Sequence, residues 1–501
     1  MMDILLNAIA YIDLNAILAI ILAGLFGLFV GSIPGLTATM AVALMVPFTF
    51  FMDPIPALAL MISVGASSIY AGDIPGALLR IPGTPASAAY VDDSYSLVKQ
   101  GKVSLVLGLG LTSSVIGGVI GTIILVLAAP VLAKFALKFS SFEYMWLSLL
   151  GLSCATLIAG KFITKSLLTL LFGILISTIG FDEFTGQARF TFGVISLYEG
   201  VSFIPAMIGL FAISGAIDYY ANRHKTGGVP EASELQAKAT LNIFKGVGAA
   251  LNKRKGSITR SSILGTLIGA LPGAGADIAA WISYAISKKF SKNPDLYGKG
   301  SQDAVIDASS SNNASLAGSW IPSLVFGIPG DSAAAIIIGV LYMKDMQPGP
   351  SLFLFQPEKL YAVFILFLIA NLALIPLALI VVSFLKKIIQ INKDILYPIV
   401  IIFSIVGAYA INNSPEAIVV MLVMGLLGYF LQKNHYPISP IILGMILGPM
   451  LERNLLASLT KSDGQLMAFV ERPVSAVLAS FFLLVVILQI WGIMKNFKEQ
   501  H

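Results

Sequence analysis

The sequence predicts an all-α polytopic membrane protein built as an inverted repeat, each half carrying a re-entrant hairpin and a broken transmembrane helix. Two observations predict it. Of 501 residues, 57% are hydrophobic and 11% charged, against about a quarter charged in soluble domains, so no water-facing surface can be built at this size. The second observation is a pattern that occurs twice. Gly31-Ser-Ile-Pro34-Gly35 is followed by an apolar run, Ile74-Pro75, five residues and Ile81-Pro82-Gly83. Gly269-Ala-Leu-Pro272-Gly273 is followed by Ile321-Pro322, five residues and Ile328-Pro329-Gly330. Proline removes a backbone donor and glycine frees the backbone, so inside apolar stretches both break helices. Paired interruptions in corresponding positions of two halves point to the binding site of a secondary transporter.

In chain order, residues 1–102 form an N-terminal repeat core. Its hairpin has arms at 14–30 and 36–52, and its broken helix covers 57–95. Plain spans fill 103–220, at 103–133, 144–159, 163–179 and 201–217. The polar loop 221–260 holds eight cations, among them Arg223, Lys225 and Lys253-Arg254-Lys255. Residues 261–350 form the C-terminal repeat core. Its hairpin arms, about 258–271 and 276–286, are too short for crossings of roughly 20 residues. Basic residues flank both ends, including Lys288, Lys289 and Lys292, which places both in the cytoplasm and makes the pair re-entrant. A broken helix at 302–343 follows, then spans within 351–501 at 360–385, 395–411, 417–431, 438–450 and 475–493. The same bias puts the N-terminus outside, the C-terminus inside, and the two repeats in opposite orientation. Lys134 and Lys138 are the exception, cations on the outside.

One cysteine and three scattered histidines (His224, His435, His501) argue against a disulfide framework, a zinc or haem site and any resident cofactor. They equally disfavour a membrane enzyme, which needs a nucleophile–base or metal constellation. A channel would carry a ring-forming filter motif, and none is visible. The +5 net charge reads as cytoplasmic loops rather than nucleic-acid binding. No basic n-region opens the chain, so no cleaved leader is expected.

Chemistry is expected at the breaks, where half-helix N-termini suit a carboxylate and unwound carbonyls suit a cation. The candidate substrate residues are Pro34, Gly35, Thr37, Arg80, Pro82, Gly83, Thr84, Pro272, Gly273, Gly275, Asn312, Asn313, Pro329, Gly330 and Ser332. For single serines such as Ser67, Ser68 and Ser309–Ser311, helix packing is the favoured reading. The adjacent amides of Asn312 and Asn313 reverse it, because they are costly in an apolar segment without partners. Asp73, Asp277 and Asp331 are the ion-coupling candidates; charges at membrane depth are rare. Asp73 could instead pair with Arg80, seven residues on. Asp92 and Asp93 are read as solvated.

Segments 31–35, 81–84, 93–101, 265–275, 327–330, 347–350 and 436–454 together resemble the large membrane subunit of the tripartite tricarboxylate transporters, in the family's order and spacing. The resemblance implies uptake of a small di- or tricarboxylate across a bacterial inner membrane, coupled to Na⁺ or H⁺. It also implies two partners, a small four-helix membrane subunit and an extracytoplasmic solute-binding protein. Elevator-like motion follows by fold-level analogy. Three positions depart from the family pattern: Ala308-Ser309 replaces Pro-Glu, Arg80 replaces a neutral polar residue, and Ser94 replaces glycine. The first two shift the site toward positive charge, which leaves citrate itself open and admits another organic anion.

Overall fold

The computed structural model describes residues 2–33, 36–157, 163–182, 186–222, 243–272, 275–389, 393–412 and 414–500. These are helical apart from short connections and a two-stranded hairpin, Gly180–Phe181 against Ala188–Arg189. Eight of the described helices are long and apolar enough to cross a membrane. The run expected to end at residue 450 continues as the helix Ser439–Lys461. The span expected at 201–217 is Phe203–Asn222, with a π turn at Gly209–Ile213.

Both hairpins form. The first pairs Leu14–Gly31 with Ala38–Thr49, the second Lys255–Gly269 with Gly275–Phe290. The second pair has 15 and 16 residues, longer than the sequence suggested yet still short of roughly 20 per crossing. Each hairpin lies on the broken helix of its own half through glycines. A Cβ on Gly31 would sit 2.7 Å from the Ser68 carbonyl, and one on Gly269 would sit 2.3 Å from that of Ser315. In hydrocarbon, such close backbone approach is what holds helices together.

Each broken helix ends just ahead of its second proline, and in the first half a one-residue turn at Gly72 also separates Pro54–Ala71 from Asp73–Leu79. The first proline, Pro75 or Pro322, stays within the helix (Asp73–Leu79 and Gln302–Phe326) and its carbonyl closes the end of it. Arg80 N–H donates to Gly76 O and Ile81 N–H to Pro75 O; Gly327 N–H donates to Ser323 O and Ile328 N–H to Pro322 O. Both cap residues are left-handed, φ 59° at Arg80 and 70° at Gly327. This is the αL cap that satisfies orphan carbonyls at a helix end. Each chain then folds back. Gly83 N–H donates to Gly72 O at 3.1 Å, and Gly330 abuts Ser319.

Contacts between connections sort them to two ends. At one end Asn7 donates to Glu358, Lys344 to the Phe50 and Met52 carbonyls, Arg189 pairs with Glu452, and Arg472 with Glu143. At the other, Tyr219 donates to Asp394, Lys165 to the Asn434 carbonyl, and Arg254 pairs with Asp303. The base of the first hairpin lies with the first set and that of the second hairpin with the other.

Asp93 corrects the sequence reading. Asp92 is exposed, but Asp93 is fully buried in the helix Val91–Lys99. Its carboxylate accepts from the N–H groups of Gly298, Gly300 and Ser301 at 2.7–3.0 Å and from Tyr284 OH at 3.0 Å. The first repeat is thereby clamped to the loop that opens the second broken helix. Removing a charged acceptor leaves several buried donors unpaired, so Asp93→Ala should cost at least about 3 kcal/mol. Thermal unfolding of the purified protein in detergent checks this, and an unchanged melting curve would contradict the clamp.

Candidate functional site

A cavity of about 430 Å³ lies where the first hairpin tip meets both breaks. Thr37 and Thr39 reach it from the tip, Thr84 and Pro85 from the first break, and Ser332 from the second. Local rules put each there. Thr37 caps the second hairpin arm, accepting from Met40 N–H at 3.2 Å. Thr84 and Ser87 bond one another's backbone N–H groups, fixing the turn after Ile-Pro-Gly. Asp331 caps the helix Ser332–Met343, accepting from Ala334 N–H at 2.7 Å. Two helix N-termini and several hydroxyls thus face one space, an arrangement suited to a carboxylate. The remaining wall includes Asp218, Tyr219, Tyr397 and Gln432, at the end where Tyr219 meets Asp394.

The other expected substrate residues fall elsewhere. Arg80 is exposed and pairs with Asp92 at 2.7 Å, so the anticipated Asp73–Arg80 pair does not form, nor does Arg80 line the cavity. As the C-terminal cap, its backbone is left-handed and its side chain leaves along the following turn. Pro82 is exposed, while Gly83, Pro329 and Gly330 are buried as the backbone of the breaks. Pro272 packs toward Gly151 rather than the cavity, and Gly275 abuts Asp331. Pro34, Gly35, Gly273 and the side chain of Asp277 lie outside the described residues.

Behind the cavity sits a polar chamber. Thr84 packs on Gly72, and the next residue, Asp73, is buried. Its carboxylate accepts from Tyr90 OH and, at 3.1 Å, from Ser309 Oγ. No cation pairs with it among the described residues. Ser309 also meets the Gly110 carbonyl at 3.1 Å. One turn on, Asn313 Nδ2 donates to Ser114 O at 2.9 Å and to Asn371 Oδ1 at 2.7 Å. Two acceptors around that nitrogen fix the amide's orientation. The Oδ1 atoms of Asn312 and Asn313 are buried without a donor among the described residues. Most serines behave as packing residues: Ser67 and Ser323 donate to carbonyls of their own helix, and Ser63 to Ile20 O across to the hairpin.

Sequence reasoning missed Tyr90 and Asn371; it placed a plain span at 103–133 but not the part that the helix Val103–Ala136 plays here, where its glycines let the chamber form. A Cβ on Gly117 would lie 2.0 Å from Ser310 O, and one on Gly118 would lie 1.9 Å from Asn371 Oδ1. Asn371, an amide within an apolar run, was the legible signal. Two outcomes follow from the geometry. Gly118→Ala should lower the melting temperature, because it displaces the Asn313–Asn371 bond, and a neutral effect would contradict that contact. Arg80→Gly should be neutral to stabilising by about 1 kcal/mol, since it relieves left-handed strain and loses only an exposed ion pair; equilibrium denaturation reads the sign.

The model described as "Tripartite tricarboxylate transporter TctA family" matches residues 17–443. An uncharacterised 52.8 kDa protein of the TAR-I ttuC′ 3′ region of Agrobacterium vitis is 31% identical over 476 residues, 95% of this chain and 93% of that one. A second Agrobacterium vitis protein, from the TAR-II ttuC′ 3′ region, is 35% identical over 236 residues, 47% of this chain and 98% of that one. A manganese transporter of Eremococcus coleocola aligns over 96% of this chain and 95% of its own, at 13% identity and a TM-score of 0.13, too low to bear on the fold.

Proposed function

The chain belongs to the tripartite tricarboxylate transporter TctA family, and from that premise we propose that it performs secondary active uptake of small di- or tricarboxylates across the inner membrane. It is a multi-pass membrane protein of a transporter family. The observation that carries the finer reading is the cavity at the hairpin tip and the two breaks. Its threonines and two capped helix N-termini supply donors for a carboxylate without a buried cation, so the anion can leave again.

In this reading the repeats are inverted, as the opposite placement of the hairpin bases supports. The hairpins and broken helices form one transport unit. Asp93 clamps its halves, and Trp281 of the second hairpin donates to Pro85 O of the first break at 3.2 Å. That unit moves against the helices 203–222, 393–412 and 415–433 in an elevator-like cycle. In this reading the cavity wall formed by Tyr219 and Tyr397 lies toward the cytoplasm, the side that charge bias assigns to it, as an inward-facing state requires.

Asp73 is the coupling residue. A lone buried carboxylate in a membrane span calls for a Na⁺ or a proton, and its neighbour Gly72 touches Thr84 at the cavity wall. Asp331 and Asp277, beside the second tip, are further coupling candidates; Asp331 also sets the helix end that faces the anion. A four-helix membrane subunit and an extracytoplasmic binding protein complete the system.

Uptake of labelled di- and tricarboxylates into proteoliposomes with the partner subunits tests this. Wild type should accumulate a carboxylate under an imposed Na⁺ or pH gradient, Asp73→Asn should lose that dependence, and Arg80→Asn should retain it. Wild-type uptake indifferent to both gradients would contradict coupling. Loss of uptake in Arg80→Asn would return that residue to the substrate site.

A further inference from the structure

The polar layer behind the central cavity is short of hydrogens. Ser309 Oγ lies 3.1 Å from Asp73 Oδ2 and 3.1 Å from the Gly110 carbonyl, yet a hydroxyl carries one proton and satisfies only one of them. Tyr90 OH donates to the other Asp73 oxygen and also meets the Asn312 side chain. Asn312 Oδ1 is itself buried with no donor among the described residues. One turn along from Gly110, Ser113 Oγ is buried without a partner as well.

There is room beside this carboxylate. The helix Val103–Ala136 packs so closely elsewhere that a Cβ on Gly108, Gly117 or Gly118 would collide at 1.9–2.0 Å. At Gly110 a Cβ would meet nothing nearer than Asp73 Oδ2 at 3.6 Å and Tyr70 at 3.8 Å. A methyl-sized space therefore faces the charged oxygen in an otherwise tight interface. A water there would donate to the orphan oxygens but leave the buried charge uncompensated, which is costly. A proton would neutralise the charge yet supply a single hydrogen. A hard cation does both, since it takes oxygen ligands and brings positive charge. Among the described residues no three His, Cys, Asp or Glu gather, so the lone carboxylate matches a monovalent ion.

We propose that Asp73 Oδ2, Ser309 Oγ and the orphan oxygens of Asn312 and Ser113 form a Na⁺ site in the space beside Gly110. With the ion on Asp73, the Ser309 hydrogen goes to the Gly110 carbonyl and both 3.1 Å contacts are satisfied. This deepens the coupling role given to Asp73 above by choosing Na⁺ over a proton; its part in uptake rests on that reading, while the binding does not. Gly72 joins the ion to the substrate cavity. It precedes Asp73, packs against Thr84, and its carbonyl accepts from Gly83 N–H.

The full chain, purified in detergent, is titrated with labelled Na⁺ in choline chloride at constant ionic strength, and its melting temperature is followed in the same buffers. Wild type should bind a single ion per chain saturably and melt higher as Na⁺ rises, because a ligand of the folded state stabilises it. Asp73→Asn should weaken binding at least about tenfold, the scale already seen for losses outside a metal's own ligands. Gly110→Ala should do the same by filling the space. Without Na⁺ it should melt no lower than wild type, since its Cβ meets no clash and alanine favours a helix. Absence of saturable Na⁺ binding in wild type, or binding undiminished in either variant, would overturn the proposal. Saturable Na⁺ binding with carboxylate uptake indifferent to a Na⁺ gradient would uphold the site and overturn its coupling to transport.

Discussion

Breaking a helix at membrane depth is tolerable only if the freed backbone groups find partners within the protein. Everything near the central cavity follows from how this chain meets that demand twice with one device. The helix ends on a left-handed residue, its last carbonyls are taken by the cap and by the isoleucine of Ile-Pro-Gly, and the glycine folds back on the preceding turn. Proline is placed where a donor is not needed, and glycine where a Cβ would collide. The next residue, Thr84 or Asp331, is then delivered to the start of the following segment. Arg80 is the flaw in the device, a side chain on a conformation that glycine adopts freely at Gly327. It is tolerated because the side chain runs out to Asp92.

Packing behind the breaks follows the logic of helices in lipid, where small residues rather than the hydrophobic effect bring backbones together. The glycines of Val103–Ala136 bring that helix onto the polar face of Gln302–Phe326. This close approach encloses Asp73, Ser309 and the asparagine pair in one layer. The same face that holds the helices together also gives the buried Asp73 carboxylate one of its partners, Ser309. Asp93 does a comparable service elsewhere in the fold, joining segments more than 200 residues apart.

Much of this was legible in the sequence. The repeated proline–glycine pattern located both hairpins and both breaks, because backbone chemistry at those residues leaves few alternatives. Site detail was less legible. Thr37, Thr84 and Ser332 do share a cavity, but Arg80 and Pro272 point away from it, since a break fixes the backbone and not the direction of the side chain. Asp93 looked solvated because its partners are backbone N–H groups of a loop in the other half, which no local pattern announces. Tyr90 and Asn371 entered the chamber for the same reason, through tertiary contacts alone.

The central claim, that two hairpins enter from opposite sides and meet near one cavity, is most directly tested by sidedness. Single cysteines at Phe51 and Lys289, both exposed at the bases of the first and second hairpin, would be labelled with an impermeant thiol reagent in a Cys154→Ser background. The account predicts labelling of Phe51→Cys in intact cells and of Lys289→Cys only after permeabilisation. Labelling of both from the same side would contradict it.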